Sequence, residues 1–348
     1  MRIEGISFKP ASKQMSNDAV LKEVRRLSEP LFEDDLDKAL VSIKYTLDQT
    51  QIRNRYWFDE EERPLDLICT VAKEALQKAD LKAQDIDLLI YAGIGRGFLE
   101  PGDAYFVANA LGMNDVDCFD VMDACMSWTR ACDMAQSFFA AKRYKRILIV
   151  NCESYYVPGG ISYPSNFELK RMREIAYCFS AYCGGDGASA TVLVDDAANP
   201  WDFNFSSNKT GVDLCTIPLP GYEKRSLPSK YIGLNGIGAF TSFSSLVFNS
   251  AESHMVDILR RLEPHFADTK MLFPHTGGAI PAFQKWADSA GAGHLMRYIY
   301  PDYGNLGSCS IPAAISLHLE SGELQRGDRS GWWMGSSGMS FVSASFRV

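Results

Sequence analysis

The sequence predicts an α/β protein built from two related halves. Strand-like runs rich in branched and aromatic residues alternate with amphipathic helix-like runs along the chain. Such alternation favours sheets covered by helices on both faces. With 348 residues and 46% hydrophobic content, the chain can bury two fused cores. Residues 184–194 and 335–348 each run from small residues into a β-branched strand, and this weak repeat indicates a duplication with halves at 1–195 and 196–348.

Five strands and five helices are predicted in chain order. The strands are at residues 88–92, 147–151, 191–194, 271–273 and 341–346. The helices are at residues 66–79, 129–143, 251–262, 281–290 and 312–321. Residues 155–176, polar and arginine-rich, and residues 208–232, with three prolines, fit neither pattern. We expect insertions that shape or cover the entrance to a site, with plain surface loops as the alternative.

Composition restricts the classes of partner. The net charge is −8 and no block of like charges occurs, which argues against nucleic acid. The first seven residues lack the layout of a signal peptide, and no apolar run approaches the roughly 18 residues that a membrane helix needs. We therefore expect a cytoplasmic protein with no membrane partner. The nine cysteines fit no zinc spacing, so we predict no metal and free, mostly buried thiols.

The strongest candidate for a reactive group is Cys125. It follows a strand-like approach and precedes a run of helical composition that starts at Thr129. At a helix N-terminus, the partial positive charge and the unpaired N–H groups favour thiolate over thiol, and the thiolate is the nucleophile. Because cysteine is among the most buried residue types, a core position is the competing interpretation.

Two isolated polar residues far downstream complete a possible catalytic set. His275 and Asn305 lie in apolar, glycine-punctuated surroundings. Both, like Cys125, are expected at strand junctions, where α/β folds place reactive groups. A single cysteine with a distant histidine and asparagine is typical of a nucleophile, a base or hydrogen-bond donor, and an orienting amide. The residue types alone would also suit a papain-type hydrolase.

Six short segments occur in a fixed order along nearly the whole chain. They are Ile52-Arg53-Asn54-Arg55, Asp85 to Tyr91, the segment around Cys125, Gly184-Gly185-Asp186-Gly187-Ala188, Phe273-Pro274-His275, and Tyr303-Gly304-Asn305 with Ser310-Ile311-Pro312. In these segments the chain resembles the thiolase-fold condensing enzymes, most closely the beta-ketoacyl-acyl-carrier-protein synthase III group. The match of six segments in order is more specific than any single motif.

The resemblance implies a thiolase-like fold, with two pseudo-duplicated α/β halves in a layered α-β-α-β-α arrangement. It implies an acyl-cysteine intermediate at Cys125 and a Claisen condensation with a malonyl or beta-ketoacyl thioester, in fatty-acid-like or specialised metabolite biosynthesis. His275 and Asn305 would then donate hydrogen bonds to the enolate oxygen. The substrates would be carried on coenzyme A or acyl carrier protein, with no cofactor. A homodimer that pairs through a strand at about residues 117–122 is also implied.

Two departures from the family pattern bear on the site. Thr276-Gly277-Gly278 replaces the usual Gln-Ala-Asn, which removes an amide near the pantetheine arm and implies a different mode of substrate delivery. Gly335-Ser336-Ser337-Gly338 replaces a Gly-Gly-Gly run. Because a backbone donor does not depend on the side chain, the N–H groups of Cys125 and Ser337 are expected to form the oxyanion hole.

Glu100 resembles a glutamate of the branch that joins two long acyl chains. In that branch the neighbouring subunit reaches into the acyl pocket, here with Phe98 and Leu99 beside the carboxylate. A buried glutamate has a raised pKa and could act as the general base for the second substrate. A solvated glutamate at a turn before proline is the alternative.

Other assignments concern binding and competing functions. The family binds the phosphates and adenine of coenzyme A with arginine and an aromatic ring, here Arg53 and Tyr45. For Arg55 a surface salt link is the preferred interpretation. Two functional alternatives are an acyltransferase of the same fold that delivers the acyl group to an alcohol or amine, and a silent partner subunit. A silent subunit would normally have lost one of the three catalytic residues, and all three are present.

Overall fold

The computed structural model describes all 348 residues and contains two main sheets and two small ribbons. The strands are β1 (Arg2–Pro10), β2 (Lys13–Ser16), β3 (Asn54–Trp57), β4 (Leu88–Ala92), β5 (Asp117–Val121), β6 (Arg146–Glu153), β7 (Gly187–Val194), β8 (Asp202–Ser207), β9 (Cys215–Thr216), β10 (Thr241–Ser242), β11 (Thr269–Pro274), β12 (Arg329–Ser336) and β13 (Ser340–Arg347). The helices are α1 (Asn17–Ser28), α2 (Leu36–Thr50), α3 (Pro64–Lys78), α4 (Asp103–Ala110), α5 (Ser127–Ala140), α6 (Ile175–Cys178), α7 (Ser244–Arg260), α8 (Ile280–Ser289), α9 (Tyr300–Tyr303) and α10 (Ser310–Glu320).

The first sheet has the strand order β1-β7-β6-β4-β5. Strand β4 runs parallel to both of its neighbours, β5 and β6, whereas β7 and β1 add antiparallel pairs. All five residues of β4 are buried because the strand lies inside the sheet with helices on both faces. The carboxyl ends of β4, β5 and β6 therefore meet at one edge of the sheet, where α/β proteins bind their ligands.

The second sheet has the order β11-β12-β13-β8, with β11 and β12 parallel and the other pairs antiparallel. The first sheet takes its strands from residues 2–194 and the second from residues 202–347. The expected division between 195 and 196 thus falls between the strands of the two sheets. The duplication of one half from the other stays a prediction.

Five layers follow from how the helices pack. Helix α3 covers the outer face of the first sheet on β1 and β7, and α7 covers the outer face of the second on β12 and β13. Helices α5 and α10 lie between the sheets, and one core joins Trp128 of α5 with Phe273 and Trp332 of the second sheet. The predicted α-β-α-β-α arrangement is confirmed.

Every predicted strand and helix is present, with its ends shifted by a few residues in most cases. Helix α7 begins at Ser244, well before the predicted start at residue 251. Strand β12 was not predicted because Gly331 and Gly335 lower its apparent strand propensity. A Cβ on Gly331 would lie 2.4 Å from the Ala344 carbonyl oxygen, so close packing against β13 requires glycine there.

The predicted insertions both contact the segment at residues 240–243, which follows the second of them. The Phe240 N–H donates to Ile161 O at 2.7 Å, and Asn166 Nδ2 donates to Phe240 O at 2.9 Å. Phe243 also packs against Tyr177 and Tyr231, with ring centroids 5.6 and 4.8 Å apart.

None of the helices combines the length and the apolar character needed to cross a membrane.

Candidate active site

Cys125 lies in a tight turn between β5 and α5. Ala124, immediately before it, has φ of 47°, a left-handed conformation that is uncommon for a residue with a side chain. The Ser127 hydroxyl holds the turn, because its oxygen accepts from the Asp123 N–H at 2.8 Å and its O–H donates to Ala124 O at 2.7 Å. Strained backbone of this kind persists where the surroundings fix it, and it is frequent at functional sites. The predicted position at a helix N-terminus is confirmed.

The surroundings of Cys125 oppose the thiolate that the sequence predicts. Burial raises the pKa of the thiol, and the nearby thiol of Cys215 and carboxyl of Glu153 raise it further. Removal from water penalises the charged form, whereas the helix N-terminus favours it. The direction of the pKa shift therefore favours the protonated thiol before reaction.

His275 directly follows β11 and is buried. Its N–H donates to Trp333 O at 3.0 Å, which fixes the backbone to β12. Burial lowers the pKa of the imidazole to about 4, so the ring is neutral near pH 7. Nδ1 lies 2.9 Å from Ser310 Oγ. We assign the Ser310 hydroxyl as the donor to Nδ1, which leaves the proton on Nε2.

Asn305 lies between α9 and α10 and not at the end of a strand, so the predicted junction is wrong for this residue. Its backbone is nevertheless fixed by the first half, because the Asn305 N–H donates to Cys183 O at 2.8 Å and the Gly185 N–H donates to Asn305 O at 2.9 Å. The Gly307 N–H donates to Asn305 Oδ1 at 2.9 Å. This bond occupies the oxygen of the amide, so Nδ2 remains available as a donor.

The donors of His275 and Asn305 converge at Gly277. A Cβ placed on Gly277 would lie 3.8 Å from Asn305 Nδ2 and 4.0 Å from His275 Nε2. Two neutral N–H donors therefore face a small space that no side chain fills. Such an arrangement can stabilise an oxygen that gains negative charge during a reaction.

The chain beyond β12 approaches the nucleophile turn. Ser336 Oγ donates to Asp123 O at 3.3 Å, so Ser337 follows directly after a contact with the segment before Cys125. Cys215, which the sequence analysis did not single out, lies close to Cys125, and the neighbouring Ser242 and Ser337 lower the pKa of its thiol against the effect of burial. The oxyanion hole formed by Cys125 and Ser337 stays a prediction.

Glu153 and Tyr155 are further polar residues that the sequence analysis missed. Both are buried near Cys125, and the Tyr155 hydroxyl lies beside the Glu153 carboxyl, whose pKa it lowers. A carboxylate at the end of the apolar run 146–152 was the signal that could have identified Glu153, since an unpaired charge there is costly.

Glu100 and its neighbours are exposed within the single chain. Phe98 and Leu99 expose 48% and 74% of their surface, and Glu100 is exposed beside them. The structure therefore does not bring Glu100 together with Cys125, His275 and Asn305 as part of one buried group. Its expected role depends on a second subunit.

The predicted coenzyme-binding residues differ in their surroundings. Arg53 is exposed and pairs with Asp302, with Nη2 to carboxylate distances of 2.8 and 2.9 Å, and Tyr45 is exposed. Arg55 is buried and donates to Asn17 Oδ1 at 2.8 Å and to Tyr182 O at 2.9 Å. The preference for a surface salt link at Arg55 is wrong, because its guanidinium instead satisfies groups inside the fold.

No three of the histidine, cysteine, aspartate and glutamate side chains are grouped closely enough to hold a metal ion. All nine cysteines are free, as predicted, and five of them are buried.

Comparison with known proteins identifies the relatives of this chain. It is 27% identical over 324 residues to beta-ketoacyl-[acyl-carrier-protein] synthase III of Aliarcobacter butzleri, which covers 90% of this chain and 92% of that protein. It is 28% identical over 289 residues to the enzyme of the same name from Clostridium perfringens, with coverage of 80% and 83%. The chain is similar in sequence to beta-ketoacyl-acyl-carrier-protein synthase III. No protein-family model matches it.

Solved structures show the same thiolase fold. An OleA variant from Xanthomonas campestris superimposes with a TM-score of 0.82 at 18% identity, covering 99% of this chain and 97% of that one. The 3-oxoacyl-[acyl-carrier-protein] synthase III of Aquifex aeolicus gives 0.76 at 19% identity, with coverage of 100% and 99%. Because these identities are only 18% and 19%, the structural likeness establishes the fold of this chain and nothing further.

The ionisation of His275 can be measured directly. Because burial lowers its pKa to about 4, we expect the ring to stay neutral with the proton on Nε2 from pH 5 to 8. Nitrogen-15 NMR of labelled histidine, with the signal assigned from its loss in His275→Gln, measures both protonation and tautomer. The exposed His294 is the internal control. A midpoint near 6.5 for His275 would contradict the buried neutral ring.

Proposed function

We propose that this chain is an acyl-thioester condensing enzyme, an acyltransferase that forms an acyl-cysteine at Cys125 and then a new carbon–carbon bond by Claisen condensation. The observation that carries the proposal is the convergence of two neutral donors, His275 Nε2 and Asn305 Nδ2, at the space beside Gly277. An enolate oxygen needs donors of this kind. The sequence relatives named beta-ketoacyl-acyl-carrier-protein synthase III support the same chemistry.

In the first half-reaction the sulfur of Cys125 bonds to the carbonyl carbon of an acyl thioester. The negative oxygen of the tetrahedral intermediate accepts from the N–H groups of Cys125 and Ser337. The carrier thiol leaves and takes up the proton that Cys125 loses, so no net charge is created. A thiol that is protonated at rest fits this exchange, because the pKa of Cys125 disfavours a standing thiolate.

In the second half-reaction a malonyl or beta-ketoacyl thioester supplies the carbon nucleophile. Loss of carbon dioxide or of an α-proton leaves an enolate, whose oxygen accepts from His275 and Asn305. The α-carbon then bonds to the acyl carbonyl and the bond to Cys125 sulfur breaks, which returns the thiol after protonation. A neutral imidazole suits this step because it donates without adding a positive charge.

The acyl donor is a thioester of coenzyme A or of acyl carrier protein. The insertion that carries β9 includes Cys215, which lies near Cys125, and further along the chain it bears Lys224, Arg225 and Lys230. These three side chains form no ion pair within the chain. Unpaired cations on this insertion suit the phosphates or acidic groups of either carrier.

The enzyme functions as a homodimer that pairs β5 with β5 across a twofold axis. Strand β5 is an open edge of the first sheet, and an open edge invites pairing. Large apolar side chains, including Met122, Phe98 and Phe106, are exposed in this region. The rings of Phe98 and Phe106 are stacked, with their centroids 4.2 Å apart. Such a patch marks an interface, and its burial would carry Glu100 into the partner's site.

The nucleophile is tested by removing its sulfur. We expect Cys125→Ala to abolish acylation and all turnover while the fold remains, because no other thiol is held in the strained turn. Intact-protein mass spectrometry after incubation with a reactive acyl thioester measures acylation. Cys69→Ser, a change on the outer helix α3, is the matched control and should acylate normally. Stable acylation of the Cys125→Ala protein elsewhere would contradict the assignment.

The two enolate donors are tested by separating the half-reactions. We expect His275→Ala and Asn305→Ala to form the acyl-enzyme but to lose condensation by roughly 10²–10³-fold each, the loss typical of one oxyanion donor. Rapid-quench single-turnover assays measure each step, with His294→Ala as the control. Normal condensation by both variants would instead indicate an acyltransferase that uses other groups.

The role of Glu100 is tested in mixed dimers. We expect Glu100→Gln to keep acylation and to slow condensation roughly 10²–10⁴-fold, because it removes a general base. Mixing Glu100→Gln subunits with Cys125→Ala subunits should restore activity, since one site then combines an intact Cys125 with its neighbour's Glu100. Glu60→Gln, at another exposed carboxylate, is the control. Light scattering that gives the mass of a monomer would show that Glu100 is only a turn residue. The same conclusion would follow if mixed dimers restored no activity while Glu100→Gln alone had normal activity.

A further inference from the structure

Glu153 is the buried acid for which the proposed mechanism has no use. It ends β6 inside the fold and has no exposed surface. No lysine, arginine or histidine pairs with it. A carboxyl group buried without a cation costs free energy, and it persists only where hydrogen bonds replace water.

Each oxygen of Glu153 accepts from the backbone of a different loop. Oε1 accepts from the Ser308 N–H at 2.9 Å, three residues after Asn305. Oε2 accepts from the Gly95 N–H at 3.1 Å, in the loop that follows β4 and leads to Glu100. The Tyr155 hydroxyl lies beside the carboxyl, since a Cβ on Gly307 would contact both Tyr155 Oη and Glu153 Oε1, and it lowers the pKa of Glu153. Both backbone N–H groups donate, so the contacts suit a carboxylate and not a carboxylic acid.

We infer that Glu153 is a positioning residue for the condensation step, because its carboxylate joins the loop of Asn305 to the loop of Glu100. The inference rests on the proposed function. Asn305 orients its amide through the Gly307 N–H, and Ser308 is the next residue along the loop. Movement of Ser308 away from Glu153 would therefore shift Gly307 and turn Asn305 Nδ2 away from Gly277. Cys125 acylation needs neither loop.

Close packing leaves this loop few other positions. Gly307 has φ of 53°, and a Cβ there would lie 2.9 Å from Glu153 Oε1. A Cβ on Gly93 would lie 3.1 Å from Ser308 Oγ and 3.4 Å from Glu153 Oε1. The carboxylate is thus enclosed by two glycines, and only small residues permit both loops to reach it.

A pH dependence follows from these contacts. Burial raises the pKa of Glu153, whereas the Ser308 and Tyr155 donors lower it. Protonation places a hydrogen on an oxygen that faces an N–H donor, so one loop is released as the pH falls. The titratable groups around Glu153 are Tyr155, Cys125, Cys152, Cys309, Tyr91 and Asp186. None of these groups is positively charged, so no cation opposes the rise in the pKa of Glu153.

The test compares the two half-reactions of the protein. We expect Glu153→Gln to lose condensation roughly 10- to 100-fold more than it loses acylation, because an amide NH₂ meets a backbone N–H on one side. The acid limb of the condensation rate that belongs to Glu153 should disappear. Asp87→Asn is the matched control, since the Asp87 carboxylate accepts from the Lys145 and Arg146 N–H groups at 2.7 and 2.9 Å, at the far end of the sheet.

Tyr155→Phe provides a second readout that does not depend on the folding of Glu153→Gln. Removing the hydroxyl removes a bond that favours the carboxylate, so the pKa of Glu153 rises and the acid limb moves to higher pH. Condensation at pH 8 to 9 should remain near normal. The inference would be overturned if the acid limb of the condensation rate did not move in Tyr155→Phe. It would also be overturned if Glu153→Gln lost both half-reactions equally. A wild-type protein that forms no acyl-enzyme would instead overturn the proposed function.

Discussion

Cys125, His275 and Glu153 share a site in which no cation is paired with any of them, and this absence of compensating charge governs the chemistry. Burial raises the pKa of the Cys125 thiol and of the Glu153 carboxyl, and it lowers that of the His275 imidazole to about 4. Each shift favours the neutral form, as expected for groups removed from water. Hydrogen bonds from the backbone and from hydroxyl groups then determine which of these side chains can carry a charge in the site.

A site with these properties favours reactions that do not accumulate net charge within it. The transfer of an acyl group from one thiol to another keeps the net charge constant, and an enolate is stabilised by neutral donors that are already in place. A hydrolase that relied on a cysteine–histidine ion pair would need both groups charged at once. The lowered pKa of His275 opposes that state, which separates this site from the papain-type alternative that shares its residue types.

The sequence predicted the positions of the reactive groups better than their surroundings. Cys125 and His275 were found because strand ends leave a local signature, with apolar residues followed by a turn. The protonated thiol was not predicted, since its pKa depends on Glu153 and Cys215, which meet Cys125 only in the fold. The sequence also did not predict the space beside Gly277 that His275 and Asn305 face, because a glycine can indicate a turn or an open site equally well.

The division of the site between the two halves explains why its geometry depends on the whole fold. The first sheet supplies Cys125, and the second supplies His275 at the carboxyl end of β11. Hydrogen bonds cross between the halves in both directions, from the Ser308 N–H to Glu153 and from the Gly185 N–H to Asn305 O. Neither half alone could place a thiol opposite two donors. Small shifts between the sheets would therefore alter both half-reactions, since acylation draws on the Ser337 N–H of the second half and condensation on His275 and Asn305.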